Sequence, residues 1–470
     1  MTTILLIRDD LRLDDHPALR DASESASMVP VYCEHEDVTP WGGAARWWTG
    51  RALGSLDAAL RGRAENSNAG LWALRDASGD RIARVARDLG ATRVVWSAGR
   101  TPATIEHDEA LAVALDGAGI EHAAHAPNML FPFGIADKDD GEPRKVFTAF
   151  YKHATRVADP EKPVEAPETI PSLGTTHAVL RGAGLVPHDE LAVAPEHAWT
   201  EKLAAHWTPT IEAGHERARA FLGDGLAGYK DARNDLDPVG SSMLSPWIHA
   251  GQISVRRLWD RSLDHDSGAG GQSFRSELGW REFSNHMLVA FPTATREPVQ
   301  KKFERFPWRD DDEALDAWCE GRTGYPVADA AMRHLWESGW MPNRARMIVA
   351  SLLTKHLLVH WTRGADWFMD TLVDADPGNN YLGWQWTAGC GFDAAPYFRI
   401  FNPITQGEKF DPDGAYVRRW VPELAGRGGK AIHQPLGAEE SRRLGYPTPI
   451  VEHKAARERA LAAFGEIKGS

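Results

Sequence analysis

A chain of 470 residues has room for two or three domains and a large buried core. Its 53 basic and 66 acidic groups leave a net charge of −13, which excludes a protein that coats nucleic acid by bulk charge but not one with a local basic patch. Three widely separated cysteines, Cys33, Cys319 and Cys390, exclude a disulfide framework or a CxxC metal knuckle and predict a reducing compartment. The opening MTTILLIRDDLRLDD reaches acid by residue 9, too early for a secretory signal, and no run of 18 apolar residues follows. A cytoplasmic protein without a membrane span is expected.

In chain order, residues 4–7, 28–32, 70–74 and 93–96 read as strands, and 46–61 and 80–89 carry helical spacing. That alternation predicts a parallel sheet with helices on its faces, an α/β domain over residues 1–130. No G-x-G-x-x-G follows the first strand and no GxxxxGK[ST] exists, so a nucleotide held in either usual way is not expected. Residues 131–208 include DPEKPVEAPETIPSLG and read as a long connector. Residues 209–470 are helical in pattern, and 345–361 (ARMIVASLLTKHLLVHW) read as one buried helix of an all-α domain.

His356 and His360 stand four apart on that predicted helix, as zinc ligands would, but the glutamate of H-E-x-x-H is missing and core or helix-end histidines are the better reading. No G-x-S-x-G elbow is present. The densest chemistry lies in residues 372–403, LVDADPGNNYLGWQWTAGCGFDAAPYFRIFNP, too apolar for a surface loop yet rich in acids and amides. Asp374 and Asp376 would be costly to bury unpaired, and Arg346 is a candidate partner for one of them. Of 19 tryptophans, fourteen fall at or beyond Trp199; an indole-rich core accounts for most such residues.

Four motifs in order, RDDLRLDDHPAL, SELGWREF, TGYPVADAAMR with GWMPNRARM, and DAD…NN…GWQW…RIFNPITQGEKFD, resemble the DNA photolyase/cryptochrome family over nearly the whole chain, most closely its cyclobutane pyrimidine dimer photolyases. The resemblance implies a Rossmann-like α/β domain, then a helical domain holding FAD in a folded form. Ser241, Ser242, Met243, Leu244 and Ser245 match the phosphate-holding stretch at a helix start, with Met243 where many relatives carry Arg or Lys. Tyr229, Phe274, Asn343 and Arg346 match positions near the cofactor. Asp374 and Asp376 match the pair that contacts flavin and ribose, with Arg346 bonded to Asp374. Asn380 matches the side chain facing flavin N5, an amide typical of photolyases where plant cryptochromes carry Asp and animal ones Cys. Taken alone, these serines would be ordinary helix caps and Asn380 a turn residue.

Trp384, Trp361 and Trp308 match the family's electron-transfer triad. Glu277, Trp280 and Trp386 match the pocket for a flipped-out lesion, with Arg233, Arg344, Arg399 and Gln406 as candidates for phosphate contact. The implied activity is repair of cyclobutane dimers in UV-damaged DNA by electron transfer from photoexcited reduced FAD, in a cytoplasmic monomer. A cryptochrome-like blue-light photoreceptor and a (6-4) photolyase are the alternatives; an ordinary flavin oxidoreductase is disfavoured because no nicotinamide site is visible. An antenna, methenyltetrahydrofolate or 8-hydroxy-5-deazaflavin, is left open, since Thr104 stands where the usual folate mode has glutamate.

Overall fold

The computed structural model describes every residue except 1, 36–41, 67, 192, 194–197, 238–239, 267, 395–397 and 469–470. Five parallel strands, β1 (Thr2–Ile7), β2 (Ser27–Cys33), β3 (Trp72–Leu74), β4 (Arg93–Ser97) and β5 (Glu121–His125), lie in the order β5-β4-β1-β2-β3. A two-residue strand, β6 (Val186–Pro187), closes the far edge antiparallel to β3. β1 and β2 are continuous apolar runs because helices cover both faces of the sheet. β5 (EHAAH) is a polar edge strand, and for that reason periodicity did not find it. The strand order reverses between β1 and β4, so the carboxyl ends of those two strands flank a crevice.

Alternation along β1 sorts the core. Ile4 and Leu6 face a cluster under the Gly79–Asp88 and Pro102–Ala118 helices, while Leu5 and Ile7 face a second cluster that runs on into the helical domain. At that junction Trp48, Trp207 and Trp247, one from each predicted segment of the chain, meet edge to face at 5.0–5.7 Å. The charged opening motif forms the polar seam beside them. Arg12 donates to the Gly251 carbonyl (3.1 Å), Asp15 accepts from Arg256 (2.9 Å), and Asp14 from Arg257 (2.5 Å).

Residues 131–208 carry the Phe147–Val157 helix and β6, so this stretch contributes to both the helical face and the sheet. Its beginning is tied down by Glu282, whose buried carboxylate accepts from the N–H groups of Leu130 (2.8 Å) and Phe131 (3.2 Å).

The helix read over 345–361 is not one helix. The Asn343–Ser351 helix widens into a π-type turn at Leu352–Leu357, and Leu358 takes a left-handed backbone (φ 58°) that ends it. The imidazole of His360 then caps a new helix, Trp361–Thr371, accepting from the Thr362 N–H. His356 instead faces His453 (2.8 Å), so the two histidines part company, and no cluster of three or more metal-ligating side chains occurs among the described residues.

Candidate active site

A cavity of about 570 Å³ opens between the Ala269–Ala290, Asn343–Ser351 and Pro377–Ala388 helices and residues 241–245. One limb is polar. Met243 adopts a left-handed backbone (φ 49°) and Leu244 follows in the right-handed region (φ −87°, ψ −9°), a succession in which neighbouring backbone N–H groups can converge on an anion. Ser241, Ser242, Met243 and Ser245 line the cavity here. Leu244 does not: its side chain is fully buried in the apolar core.

Two carboxylates border this limb and are held differently. Asp374 accepts both contacts of one Arg346 nitrogen (2.8 and 3.0 Å) and the Ser245 hydroxyl (2.5 Å). Asp376 caps the Pro377–Ala388 helix by accepting from the Asn379 N–H (2.9 Å) and pairs with Arg100 (2.7 Å). Burial alone would raise the Asp376 carboxyl, but Arg100 and Arg281 hold it well below the usual carboxylate range. Neighbouring His249, which also lines the cavity, is pushed down to about 4 by burial. Asn343 completes this side, and Asn380 lines the wall with its Nδ2 donating to the Ala365 carbonyl (2.9 Å).

The other limb is aromatic and basic. Tyr229 and Phe274 meet edge to face at 5.7 Å. Glu277 pairs with Arg233 (2.5 Å); burial raises its carboxyl above the ordinary range, Arg233 opposing. Trp280 lies flat against Phe147 (centroids 3.8 Å apart, 11° between planes), and the Trp386 indole donates to the Asp393 carbonyl (3.0 Å). Arg344 also lines the cavity and donates to Asn234 (2.7 Å). Arg399 and Gln406 fall outside the lining: Arg399 is exposed just beyond residues 395–397, and Gln406 is half-buried on the Pro403–Phe410 helix.

Trp384 also lines the cavity, its ring packed on Gly364 of the Trp361–Thr371 helix. A Cβ on Gly364 would overlap that ring and come within 2.6 Å of Leu353. Trp361 is fully buried, Trp308 is half-buried, and the His360 ring sits 5.5 Å from the first and 5.1 Å from the second. The indole N–H groups of Trp361 and Trp384 have no hydrogen-bond partner among the described residues.

Two family models match this chain: "DNA photolyase" over residues 3–168 and "FAD binding domain of DNA photolyase" over residues 274–466. The deoxyribodipyrimidine photo-lyase of Agrobacterium fabrum is 38% identical over 480 residues, covering 99% of this chain and 98% of its own length. The chain belongs to the DNA photolyase family. Among solved photolyase structures, a bacterial class III photolyase from Agrobacterium tumefaciens superposes with a TM-score of 0.92 at 36% identity, over 100% of this chain and 98% of its own. A cryptochrome from Synechocystis follows the same fold at a TM-score of 0.87 and 27% identity, over 98% and 99% of the two chains.

The residues of this photolyase-family cavity fit FAD. The serine-lined concavity suits a pyrophosphate, Arg346 with its acid partner and Asn380 offer a polar wall, and Phe274 an aromatic one. Tyr229, Ser241, Ser242, Met243 and Ser245 precede the matched FAD-binding stretch yet border the same space. Sequence reasoning missed Arg100, Phe147 and His249. Arg100 had a usable signal, because it follows β4 at the strand-order reversal, where ligand-facing groups gather in open sheets. Phe147 and His249 had none. Thr104, at the expected antenna position, is occupied otherwise: its hydroxyl and that of Thr101 form a capping box on the Pro102–Ala118 helix.

Proposed function

We propose that this chain repairs cyclobutane pyrimidine dimers in DNA in a light-driven reaction, acting as a cytoplasmic monomer. The observation that carries the reading is one cavity bordered both by the Asp374–Arg346 and Asn380 wall and by Glu277 with the Trp280 and Trp386 indoles. FAD, when bound, supplies the light-absorbing electron donor. The chain's own residues do the rest. Trp280, backed by Phe147, and Trp386, pinned through its N–H, offer aromatic surfaces for two fused pyrimidines extruded from the duplex. Glu277 retains its proton to a higher pH than an ordinary glutamate and can donate a hydrogen bond to a base carbonyl once Arg233 turns to a phosphate. Arg344, Arg399 and Gln406 extend that phosphate contact. The amide of Asn380, anchored on Ala365, presents a polar group that carries no acidic proton. Trp384, Trp361 and Trp308 make an indole route from the cavity to a half-buried position. No helix among the described residues is long and apolar enough to cross a membrane.

The test is repair of UV-irradiated oligo(dT), followed as recovery of pyrimidine absorbance with reduced enzyme in blue light and in darkness. Recovery in light alone is expected. The likeness to the Synechocystis cryptochrome supports a second reading, a photoreceptor without repair; absence of recovery from an FAD-loaded, photoreducible protein would select it.

A further inference from the structure

We infer that the α/β domain supplies one charge of the cofactor site: Arg100 is a positioning residue that sets Asp376 and, through it, the helix carrying Asn380, Trp384 and Trp386. The inference rests on the cavity being the FAD site. Arg100 is 5% exposed and leaves the carboxyl end of β4, while Asp9 leaves that of the adjacent β1. The guanidinium joins three groups: its Nε donates to Asp9 (2.7 Å), and its Nη1 to Asp376 Oδ2 (2.7 Å) and Asn285 Oδ1 (3.3 Å). Each Asp376 oxygen thereby has a separate task. Oδ1 caps the Pro377–Ala388 helix through the Asn379 N–H, and Oδ2 answers to the other domain.

The geometry downstream makes this consequential. Asn380 lies one turn beyond Asp376 and Trp384 one turn beyond Asn380, so a displaced cap shifts both in the same direction. The geometry upstream is rigid. The Gly99 N–H donates to Asp108 (2.7 Å), Asp108 pairs with Arg8 (2.8 Å), and Arg8 donates to the Ser97 carbonyl (2.8 Å). A Cβ on Gly99 would stand 2.5 Å from the Thr104 backbone, so the loop presenting Arg100 is pressed onto the next helix without slack. A planar fork that satisfies two carboxylates at once is a task for arginine, which lysine cannot duplicate.

The experiment titrates full-length apoprotein with FAD, reading flavin fluorescence quenching, in wild type, Arg100→Gln, Arg100→Lys, Asp376→Asn and the Arg100→Gln/Asp376→Asn double variant. Circular dichroism and thermal unfolding of each apoprotein report folding. Arg100→Gln is expected to weaken FAD binding by at least about tenfold, and Arg100→Lys, which keeps the charge and the fold, by several-fold. Because Arg100 acts through Asp376, the double variant should bind FAD no worse than Asp376→Asn alone. Wild-type affinity in either Arg100 variant, or losses that add in the double variant, would overturn the assignment. Where Arg100→Gln does not fold, Arg100→Lys against wild type decides. Failure of wild-type apoprotein to bind FAD would fall on the cofactor reading, not on Arg100.

Discussion

Replacing Phe147 with leucine isolates what a connector residue does for the proposed lesion pocket. Phe147 is nearly parallel to Trp280 at 3.8 Å, and its ring also stacks on Tyr151 at 5.4 Å and 16°, so it joins a group of three stacked rings that reaches the pocket wall. Leucine keeps an apolar side chain at a buried position but forfeits the ring–ring contact, worth about 0.5–1.5 kcal/mol beyond area burial. If that energy holds Trp280 in its binding orientation, the lesion must supply it on docking. Affinity for dimer-containing DNA should then fall about 2- to 12-fold. The assay is fluorescence-anisotropy titration of dimer-containing against undamaged oligonucleotide, with FAD content and thermal unfolding measured alongside. Phe147→Tyr, which keeps the stack, should bind as wild type. Unchanged dimer affinity in a folded, FAD-loaded Phe147→Leu protein would refute the argument that the stack positions Trp280.

Glu277→Gln should retain FAD and dimer binding to within a few-fold yet lower repair per photon, whereas Glu277→Ala should lose both recognition and repair; quantum-yield measurements on saturating substrate separate them. Gly364→Ala drives a methyl into the Trp384 ring and towards Leu353, so it should destabilise the protein by about 1–3 kcal/mol and slow light-driven flavin reduction, seen in urea unfolding and in bleaching of the flavin band. Burial lowers His286 to about 4 from an ordinary 6.5, so its neutral form stabilises the fold above pH 6.5 and that contribution drains away as pH falls toward 4. Its full share is roughly 3 kcal/mol, and unfolding at stepped pH should show a shallower acid slope in His286→Gln.

What was legible follows from where the information sits. β1 and β2 announced themselves as uninterrupted apolar runs, because a strand covered on both faces has no polar side to show. β6 could not be read: it is two residues, one of them proline, and is a strand only because β3 offers it an edge. The break at Leu358 was equally silent, since a leucine in left-handed backbone looks like any leucine in a list of letters. In the cavity, residues clustered in the late motif block were found together because one helix, Pro377–Ala388, gathers them. Arg100 and Phe147 approach from 276 residues before Asp376 and from the connector respectively, distances over which no local pattern operates.

The seam between residues 8–16 and residues 251–257 also bears on how the chain is made. The ribosome releases the first strand early, with Arg12 and Asp15 already placed at its end but their partners still about 240 residues away. At ribosomal elongation speeds of about 5–20 residues per second that interval lasts roughly 10–50 s. For that time Arg12, Asp14 and Asp15 are without those partners, and the cluster that holds Leu5 and Ile7 is without its members beyond residue 200. A nascent chain stalled before residue 251 would therefore hold these charges unpaired and that cluster incomplete.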